Sequence, residues 1–354
     1  MILARSPYYV VSQPLLTNQP FININLKIWR GDKTNDEPTA NTARFTIQKP
    51  LDSVNKLSKN IAPYIRDFFN EGINIFQPGT QTQDSQVWVK TIIESFGGIP
   101  EKINIDYAVE GYSTYIDGSN YSKQGILQNY KIDKSIKKVL DSGITIVALN
   151  YDQEVIVKTF NKQNQQITSN NLQVFKQSST QVKYLVLDND LYDSEIEVLV
   201  LGTNQNAVID RFYYDVVCEN KFEPHNIVFK NKYGAFENIY FFKNATESLK
   251  IENEEYQANM INTDGSYDST KHQFKYYNTN TKKSLKLTSG FVDEAMNENF
   301  KQLMNSTVVF LQTDNRLIPL NVKTTSKEFK QEQVDQKISY DFEFEFAFNE
   351  INTM

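Results

Sequence analysis

The stretch that decides the fold is Ile338-Ser339-Tyr340-Asp341-Phe342-Glu343-Phe344-Glu345-Phe346-Ala347-Phe348, which lies late in the 354-residue chain. Large apolar side chains alternate with polar or small ones, which is the period-two pattern of a strand with one buried and one wet face. At roughly 2 kcal/mol for each buried aromatic side chain, the apolar face contributes on the order of 10 kcal/mol of transfer free energy. The pattern therefore predicts a long β-strand that packs on a broad apolar surface.

The residues around this strand predict the rest of a C-terminal domain. Leu320–Phe329 and Lys337–Phe348 are expected to form the two arms of a long β-hairpin. Short strands are expected at Leu285–Leu287 and Thr307–Leu311. Between these two strands, apolar residues at helical spacing predict a helix: Val292, Met296, Phe300, Leu303 and Met304. The order is therefore strand-helix-strand followed by a long hairpin.

Six residues of the predicted hairpin are candidates for an assembly surface: Phe342, Phe344, Phe346, Phe348, Lys323 and Glu343. The phenylalanines would shape the apolar face, and Lys323 would approach the acidic face from the other arm. Glu343 lies between Asp341 and Glu345 on the acidic face. Alternating acids on an exposed strand are more typical of solvation than of paired catalytic carboxylates, so we interpret this face as wet.

The preceding sequence also favours β structure. Phe21–Trp29 alternates polar and aliphatic residues, Asn60–Asn70 has the spacing of a short helix, and short β runs recur at the spacing of a sandwich. The predicted fold is mainly β, with β-sandwich-like domains and one or two short helices. We expect an N-terminal β-rich domain with a short helix at 1–85, a β-sandwich-like domain at 86–205, and a C-terminal β-rich domain with one helix and the long hairpin at 206–354.

Composition and charge exclude several classes of protein. A net charge of −6 argues against a protein that coats nucleic acid, which needs clustered Lys and Arg on one face. The single cysteine, Cys218, permits no internal disulfide. The start of the chain has no basic segment followed by a long apolar one, and no apolar run is long enough to span a membrane. We expect a soluble protein without an export signal.

No catalytic or metal-binding pattern emerges from the polar residues. His225, His272 and Cys218 stand outside any spacing that would give a zinc site or a nucleophile with its base. The acidic run from Asp188 resembles a calcium loop but has Asp193 where glycine is needed and Leu199 where a bidentate glutamate is needed. Phosphate-binding loops and nucleophile elbows are absent. The sequence predicts a protein that is not an enzyme and has no catalytic residues, no metal and no cofactor.

Two aromatic segments keep other functions open. Tyr112-Ser113-Thr114-Tyr115 and Lys275-Tyr276-Tyr277 are expected in surface loops that could stack on sugars or join a partner. One alternative is therefore a carbohydrate-binding β-sandwich adhesin or receptor-binding protein that uses Tyr112 and Tyr115. Another is a hydrolase whose two carboxylates lie far apart in the sequence.

Several short patches carry a resemblance to a known group of proteins. They are Ala4-Arg5-Ser6-Pro7-Tyr8, Asn60-Ile61-Ala62-Pro63-Tyr64-Ile65-Arg66-Asp67-Phe68, Phe222-Glu223-Pro224-His225, Asn231-Lys232-Tyr233-Gly234-Ala235-Phe236, and Phe346-Ala347-Phe348-Asn349. Together they look like structural proteins of tailed bacteriophages that infect Bacteroidetes hosts, with a similarity that spans nearly the whole chain in patches. The C-terminal layout also resembles, at the level of fold analogy, the ring-forming domains of tail tubes.

The resemblance implies a non-enzymatic virion component of the tail, baseplate or neck. Such a protein would assemble in the host cytoplasm into a ring or sleeve, by binding copies of itself and other virion proteins. It would have no membrane partner, and it would touch nucleic acid only by passive contact in a lumen.

Overall fold

The computed structural model describes residues 1–12, 21–39, 44–50, 57–69, 75–77, 81–83, 87–94, 100–123, 125–127, 131–137, 144–150, 155–161, 173–175, 182–188, 195–202, 208–218, 221–313, 316–329 and 338–351. Within these ranges the chain is mainly β, with one α-helix of nine residues and two 3₁₀ helices of three residues each. The predicted mainly β, β-sandwich-like class with short helices is therefore confirmed.

The elements are numbered in chain order. The first group is β1 (Ile2–Leu3), β2 (Tyr9–Ser12), β3 (Phe21–Arg30), β4 (Phe45–Pro50), β5 (Leu57–Asn60), the 3₁₀ helices Ala62–Tyr64 and Arg66–Phe68, β6 (Gln81–Gln83), β7 (Val87–Glu94) and β8 (Pro100–Val109). The second is β9 (Gly125–Ile126), β10 (Lys131–Lys137), β11 (Ile144–Asn150), β12 (Val155–Asn161), β13 (Gln173–Phe175), β14 (Val182–Asp188), β15 (Glu195–Gly202) and β16 (Val208–Cys218). The third is β17 (His225–Lys230), β18 (Phe236–Phe241), β19 (Ala245–Gln257), β20 (Phe274–Thr288), α1 (Met296–Met304), β21 (Val309–Gln312), β22 (Leu317–Val322) and β23 (Asp341–Phe346).

The described strands form five sheets. Their strand orders are β1-β8-β7-β3-β4, β10-β16-β15-β12-β13, β6-β14-β11-β9, β18-β17-β21-β22-β23-β20-β19, and β2-β5. Neighbouring strands are antiparallel except for the parallel pairs β1/β8 and β10/β16. The seven-stranded sheet contains the predicted C-terminal strand and, at one end, the hairpin of β19 and β20.

Sheets and core cross the predicted domain limits. Strand β3 pairs with β7 on the far side of residue 85, and Trp29 lies opposite Trp88. Strand β6 likewise pairs with β14. One buried cluster has members from all three predicted regions, among them Leu3, Trp88, Tyr184 and Phe236. The three regions therefore share a core, and the limits 1–85, 86–205 and 206–354 stay a prediction.

The N-terminal strand follows the sequence pattern closely, whereas the helix predicted at Asn60–Asn70 does not form as one α-helix. In β3 the alternate aliphatic residues are buried: Ile22, Ile24, Leu26 and Ile28. The segment after β5 instead makes two 3₁₀ helices, because the Asn60 side chain accepts hydrogen bonds from the N–H of Tyr8 and of Ala62 and so fixes the chain to β2. Phe69 then takes an extended conformation, which ends the second helix.

The C-terminal core confirms most of the predicted strand-helix packing. Phe342 and Phe344 are fully buried beneath α1, and the rings of Phe300 and Phe342 lie 5.0 Å apart. Ile338 and Tyr340 are buried as expected. Phe348 is 47% exposed, because the strand ends at Phe346 and the alternation no longer points its ring inward. The expectation that Phe348 shares the buried face was therefore wrong.

The predicted hairpin is shorter than expected. Its first arm is β22, which ends at Val322, so residues 323–329 lie outside it. Val322 lies opposite Phe344, and Leu320 lies opposite Phe346. The second arm, β23, pairs with β20 on its other side. The hairpin is thus part of the middle of the seven-stranded sheet.

Candidate functional site

The hairpin of β19 and β20 extends outward from the seven-stranded sheet and is here called the arm; it comprises Ala245–Gln257, residues 258–273 and Phe274–Thr288. Only its base is fixed in the sheet, because β20 pairs with β23 from Ser284 to Thr288. Further out, the two strands of the arm pair with each other from Ala245↔Leu287 to Gln257↔Phe274. Nearly every described side chain of β19 is exposed. The arm therefore has a large surface for contacts with other molecules.

One face of the arm continues the core-facing side of the sheet. At the base, Leu285 and Leu287 are fully buried. Alternation along β19 places Leu249 and Ile251 on the same face, where they are 56% and 54% exposed. The apolar pattern thus runs on beyond the last element that covers it.

The two strands of the arm carry opposite charge. β19 has four glutamates and one lysine, a net charge of −3, whereas β20 has four lysines and no acid, a net charge of +4. Part of this charge is paired within the arm, as between Lys283 Nζ and Glu247 Oε2 at 2.9 Å. The pair of Lys250 and Glu252 lies on β19 itself and is exposed. An acidic strand and a basic strand therefore lie side by side.

Both outer edges of the arm have unpaired stretches. In the part of the chain that the structure describes, no strand pairs with the outer side of β19. On the outer side of β20, the pairing with β23 ends at Ser284, and the N–H of Glu350 then donates to the carbonyl of Thr281. On this outer side, no strand of the described residues pairs with Phe274–Asn280. Such edges are templates for pairing with another strand.

The six predicted assembly residues fall into two groups. Phe342, Phe344 and Phe346 pack in the protein's own core, and Phe342 and Phe344 lie opposite Leu287 and Leu285 at the base of the arm. These three rings therefore hold the arm's base. The exposed group is Phe348, Lys323 and Glu343. A direct contact of this second group with a partner stays a prediction.

On the acidic face of β23, Glu343 is exposed, whereas Asp341 and Glu345 are partly buried. The Lys323 ammonium lies 3.0 Å from Glu345 Oε2, and the Lys323 N–H donates to the Glu343 carbonyl at 2.8 Å. Thr288 Oγ1 donates to Asp341, which holds the pKa of that carboxyl below its usual value. These contacts are the cross-strand pairs expected of a solvated strand face.

The residues considered for catalysis lie apart in different elements. His225 is on β17, with Nδ1 3.0 Å from the Glu223 carbonyl oxygen, and His272 is exposed near the end of the arm. The backbone of Cys218 lies opposite Lys137 at the end of β16. Asn189, Asp190 and Asp193, the other acidic-loop residues, lie outside the described ranges. The absence of enzymatic activity stays a prediction.

The sequence did not single out Glu237, a carboxyl whose pKa the fold changes strongly. It is fully buried on β18 and accepts hydrogen bonds from Asn231 Nδ2 at 2.9 Å and Asn299 Nδ2 at 2.6 Å. Burial raises the pKa of Glu237 to about 7, although both amides and the charge of Lys123 act in the opposite direction. Since Asn299 lies on α1, this carboxyl links the helix to the sheet.

The tyrosines of the alternative functions have different surroundings. Tyr112 lies beneath the Arg5 guanidinium, 5.0 Å from the ring centroid, whereas Tyr115 is fully exposed in a turn that Asp117 holds. Tyr276 and Tyr277 are in strand β20, so the prediction of a loop there was wrong. A sugar site at Tyr112 and Tyr115 stays a prediction.

No protein-family model and no curated protein matches the chain. None of the described helices is long and apolar enough to cross a membrane. Within the described ranges, no group of three or more His, Cys, Asp or Glu side chains is placed to hold a metal ion.

Proposed function

We propose that this protein is a non-enzymatic structural protein that assembles with copies of itself through the arm, as a ring or sleeve in the tail, baseplate or neck of a tailed phage. The observation that carries the self-assembly is an exposed hairpin with unpaired edges and opposite charges on its two strands. The position in a virion comes from the resemblance of the sequence patches to phage structural proteins.

Exposed apolar residues on the arm favour burial in an assembly. Leu249 and Ile251 lie on the face that continues the core, and Phe274 and Tyr276 are exposed further out. Contiguous exposed apolar patches on a soluble protein typically mark a contact surface. Because these side chains are already partly buried, removing the rest of each from water stabilises an assembly by about 1–2 kcal/mol.

Charge favours one arrangement of the copies. Pairing β19 with β19 would set glutamates of one copy against glutamates of the next, which is unfavourable across neighbouring strands. Pairing β19 of one copy with the open stretch Phe274–Asn280 of another brings Glu252 and Glu254 towards Lys275 in that stretch, and Lys282 follows just beyond its end. Because two different edges meet, the contact is head-to-tail, and such a contact closes a ring or continues as a filament.

The first experiment is to measure the mass of the purified protein over a wide range of concentration by analytical ultracentrifugation. We expect oligomers that grow with concentration and weaken at high salt, because part of the contact is between exposed charges. A strictly monomeric protein at the highest concentration would contradict the proposed function. Mass spectrometry of purified phage particles tests the virion position.

A charge exchange tests the arm itself. Glu252→Lys with Glu254→Lys changes the net charge of β19 from −3 to +1, so that both strands of the arm are basic. Lys275→Glu with Lys282→Glu changes the net charge of β20 from +4 to 0, beside an acidic β19. We expect each double variant to be monomeric alone and the 1:1 mixture to form oligomers, since a contact between the two variants joins opposite charges at the exchanged positions.

The control for this exchange is Asp67→Lys with Glu328→Lys, which makes the same change in charge at exposed positions away from the arm. It should assemble like the parent. If the parent assembles and both arm variants still assemble alone, the arm contact is wrong although self-assembly stands.

A further inference from the structure

The outer end of the arm folds back on itself beyond the last strand pair. The N–H of Ala258 donates to the Gln273 carbonyl at 2.8 Å, and Ile261 forms an isolated bridge with Tyr267. Between these two residues the chain turns at Gly265, whose positive φ of 82° suits a residue without a side chain. The end of the arm is thus a small second hairpin.

A cavity of about 610 Å³ lies between the arm and this second hairpin. Its lining residues are Gln257, Ala258, Asn259, Met260, Ile261, Tyr267 and Gln273. The volume is within the range of about 300–1,000 Å³ that is typical of small-molecule sites. All the lining residues are uncharged, although Asp264, Asp268 and Lys271 lie in the same segment.

The polar groups of the cavity are amides. The side chains of Gln257 and Gln273 make no hydrogen bond to any residue that the structure describes. The side-chain Oδ1 of Asn259 accepts only the backbone N–H of Ile261. A side-chain amide both donates and accepts hydrogen bonds, which matches a hydroxyl group. The lining thus has hydrogen-bonding capacity without a charge to attract an ion.

The apolar part of the lining is an exposed aromatic ring. Tyr267 is 70% exposed, and Ile261 beside it is also exposed. A tyrosine ring offers a flat apolar surface with a polar end, which suits a ligand that has both C–H faces and hydroxyl groups.

We propose that this cavity binds a neutral carbohydrate of about one or two sugar units, with the Tyr267 ring against a C–H face and the amides against hydroxyls. An anionic sugar is disfavoured because no cation lines the cavity. The cavity lies where the strand pairing of the arm ends, and Gln257 is its one lining residue within β19. Sugar binding and pairing of the arms are therefore compatible and independent.

The test starts with the full chain on an array of immobilised oligosaccharides, both neutral and acidic, followed by calorimetry with the neutral oligosaccharide that binds best. Tyr267→Ala and Gln273→Ala should each weaken binding about tenfold or more, whereas Tyr267→Phe, which keeps the ring, should stay within about threefold of the parent. Tyr115→Ala is the matched control, because it removes an exposed tyrosine outside the cavity.

Three results would overturn the proposal: binding of no neutral oligosaccharide, binding of acidic ones alone, or an unchanged affinity in Tyr267→Ala. If Tyr115→Ala loses binding while Tyr267→Ala binds like the parent, the sugar site lies at Tyr115 and the proposal is also overturned. Ultracentrifugation of Tyr267→Ala should show the parent's assembly. Failure of sugar binding therefore leaves the proposed self-assembly untouched.

Discussion

Replacing Glu237 by glutamine should remove a large part of the pH dependence of stability. The pKa of this buried carboxyl is about 7 in the folded protein and 4.5 when exposed to water. Each unit of pKa difference corresponds to 1.36 kcal/mol, so the group is linked to about 3 kcal/mol of folding free energy. The folded state holds the proton more tightly than the unfolded chain does. The group's contribution to stability is therefore fully present below pH 4.5 and is lost as the pH rises through about 7.

Glutamine is neutral at every pH, so Glu237→Gln should not lose this contribution. The Asn231 amide must keep donating, because its oxygen already accepts the N–H of Tyr233 and of Ala235. The new amide N–H₂ would then face Asn299, whose side chain has to turn. We expect the variant to be no more stable than the parent at pH 5.

The assay is urea unfolding of both proteins at pH 5, 6, 7 and 8. The stability of the variant relative to the parent should rise by about 2.5 kcal/mol over this range, because a small part of the linkage is already lost at pH 5. Burial lowers the pKa of the Met1 amino group, but that group is present in both proteins and cancels in the difference. A difference that does not change with pH would refute the reasoning.

Two further predictions concern packing. Phe344→Asp places a charge among the buried rings beneath α1 and should cost several kcal/mol, seen as a large fall in melting temperature, whereas Glu343→Gln on the exposed face should melt like the parent. The opposite ranking would invert the assignment of the two faces. Gly234→Ala should destabilise the protein by about 1–3 kcal/mol, because Gly234 has a φ of 73° and an added Cβ would lie 2.8 Å from Gly111 N. Gly118 has a similar φ but nothing within 4 Å of an added Cβ, so Gly118→Ala, measured in the same melts, separates the cost of the positive φ from the cost of the close approach. Equal losses in the two glycine variants would contradict the role of the close approach.

The sequence by itself predicted those strands and the helix in which one face is buried and the opposite face is exposed. Ile338–Phe346 predicts its strand and its buried face because the apolar residues fall on one side, and the helical stripe from Met296 to Leu303 works in the same way. The strand β3 is a third example. A strong contrast between adjacent positions records a boundary between core and water, and that contrast is visible without a structure.

The arm had no such contrast, and so it was missed. Both of its faces are exposed, and Asn278–Thr281 is polar at every position. Leu249 and Ile251 alternate with charged residues over too short a distance to indicate a long strand. The structure shows that pairing between β19 and β20, and not burial, defines these strands.

Only the tertiary structure decided which distant residues meet. Glu237 and Asn299 are 62 positions apart, and neither has a sequence neighbour that indicates the contact. The pairing of β3 with β7 across residue 85 depends in the same way on how the chain returns to itself. The end of β23 at Phe346, which leaves Phe348 exposed, also follows from the partners available there. Local patterns report the preference of each segment for water or core, whereas contacts between segments depend on the path of the whole chain.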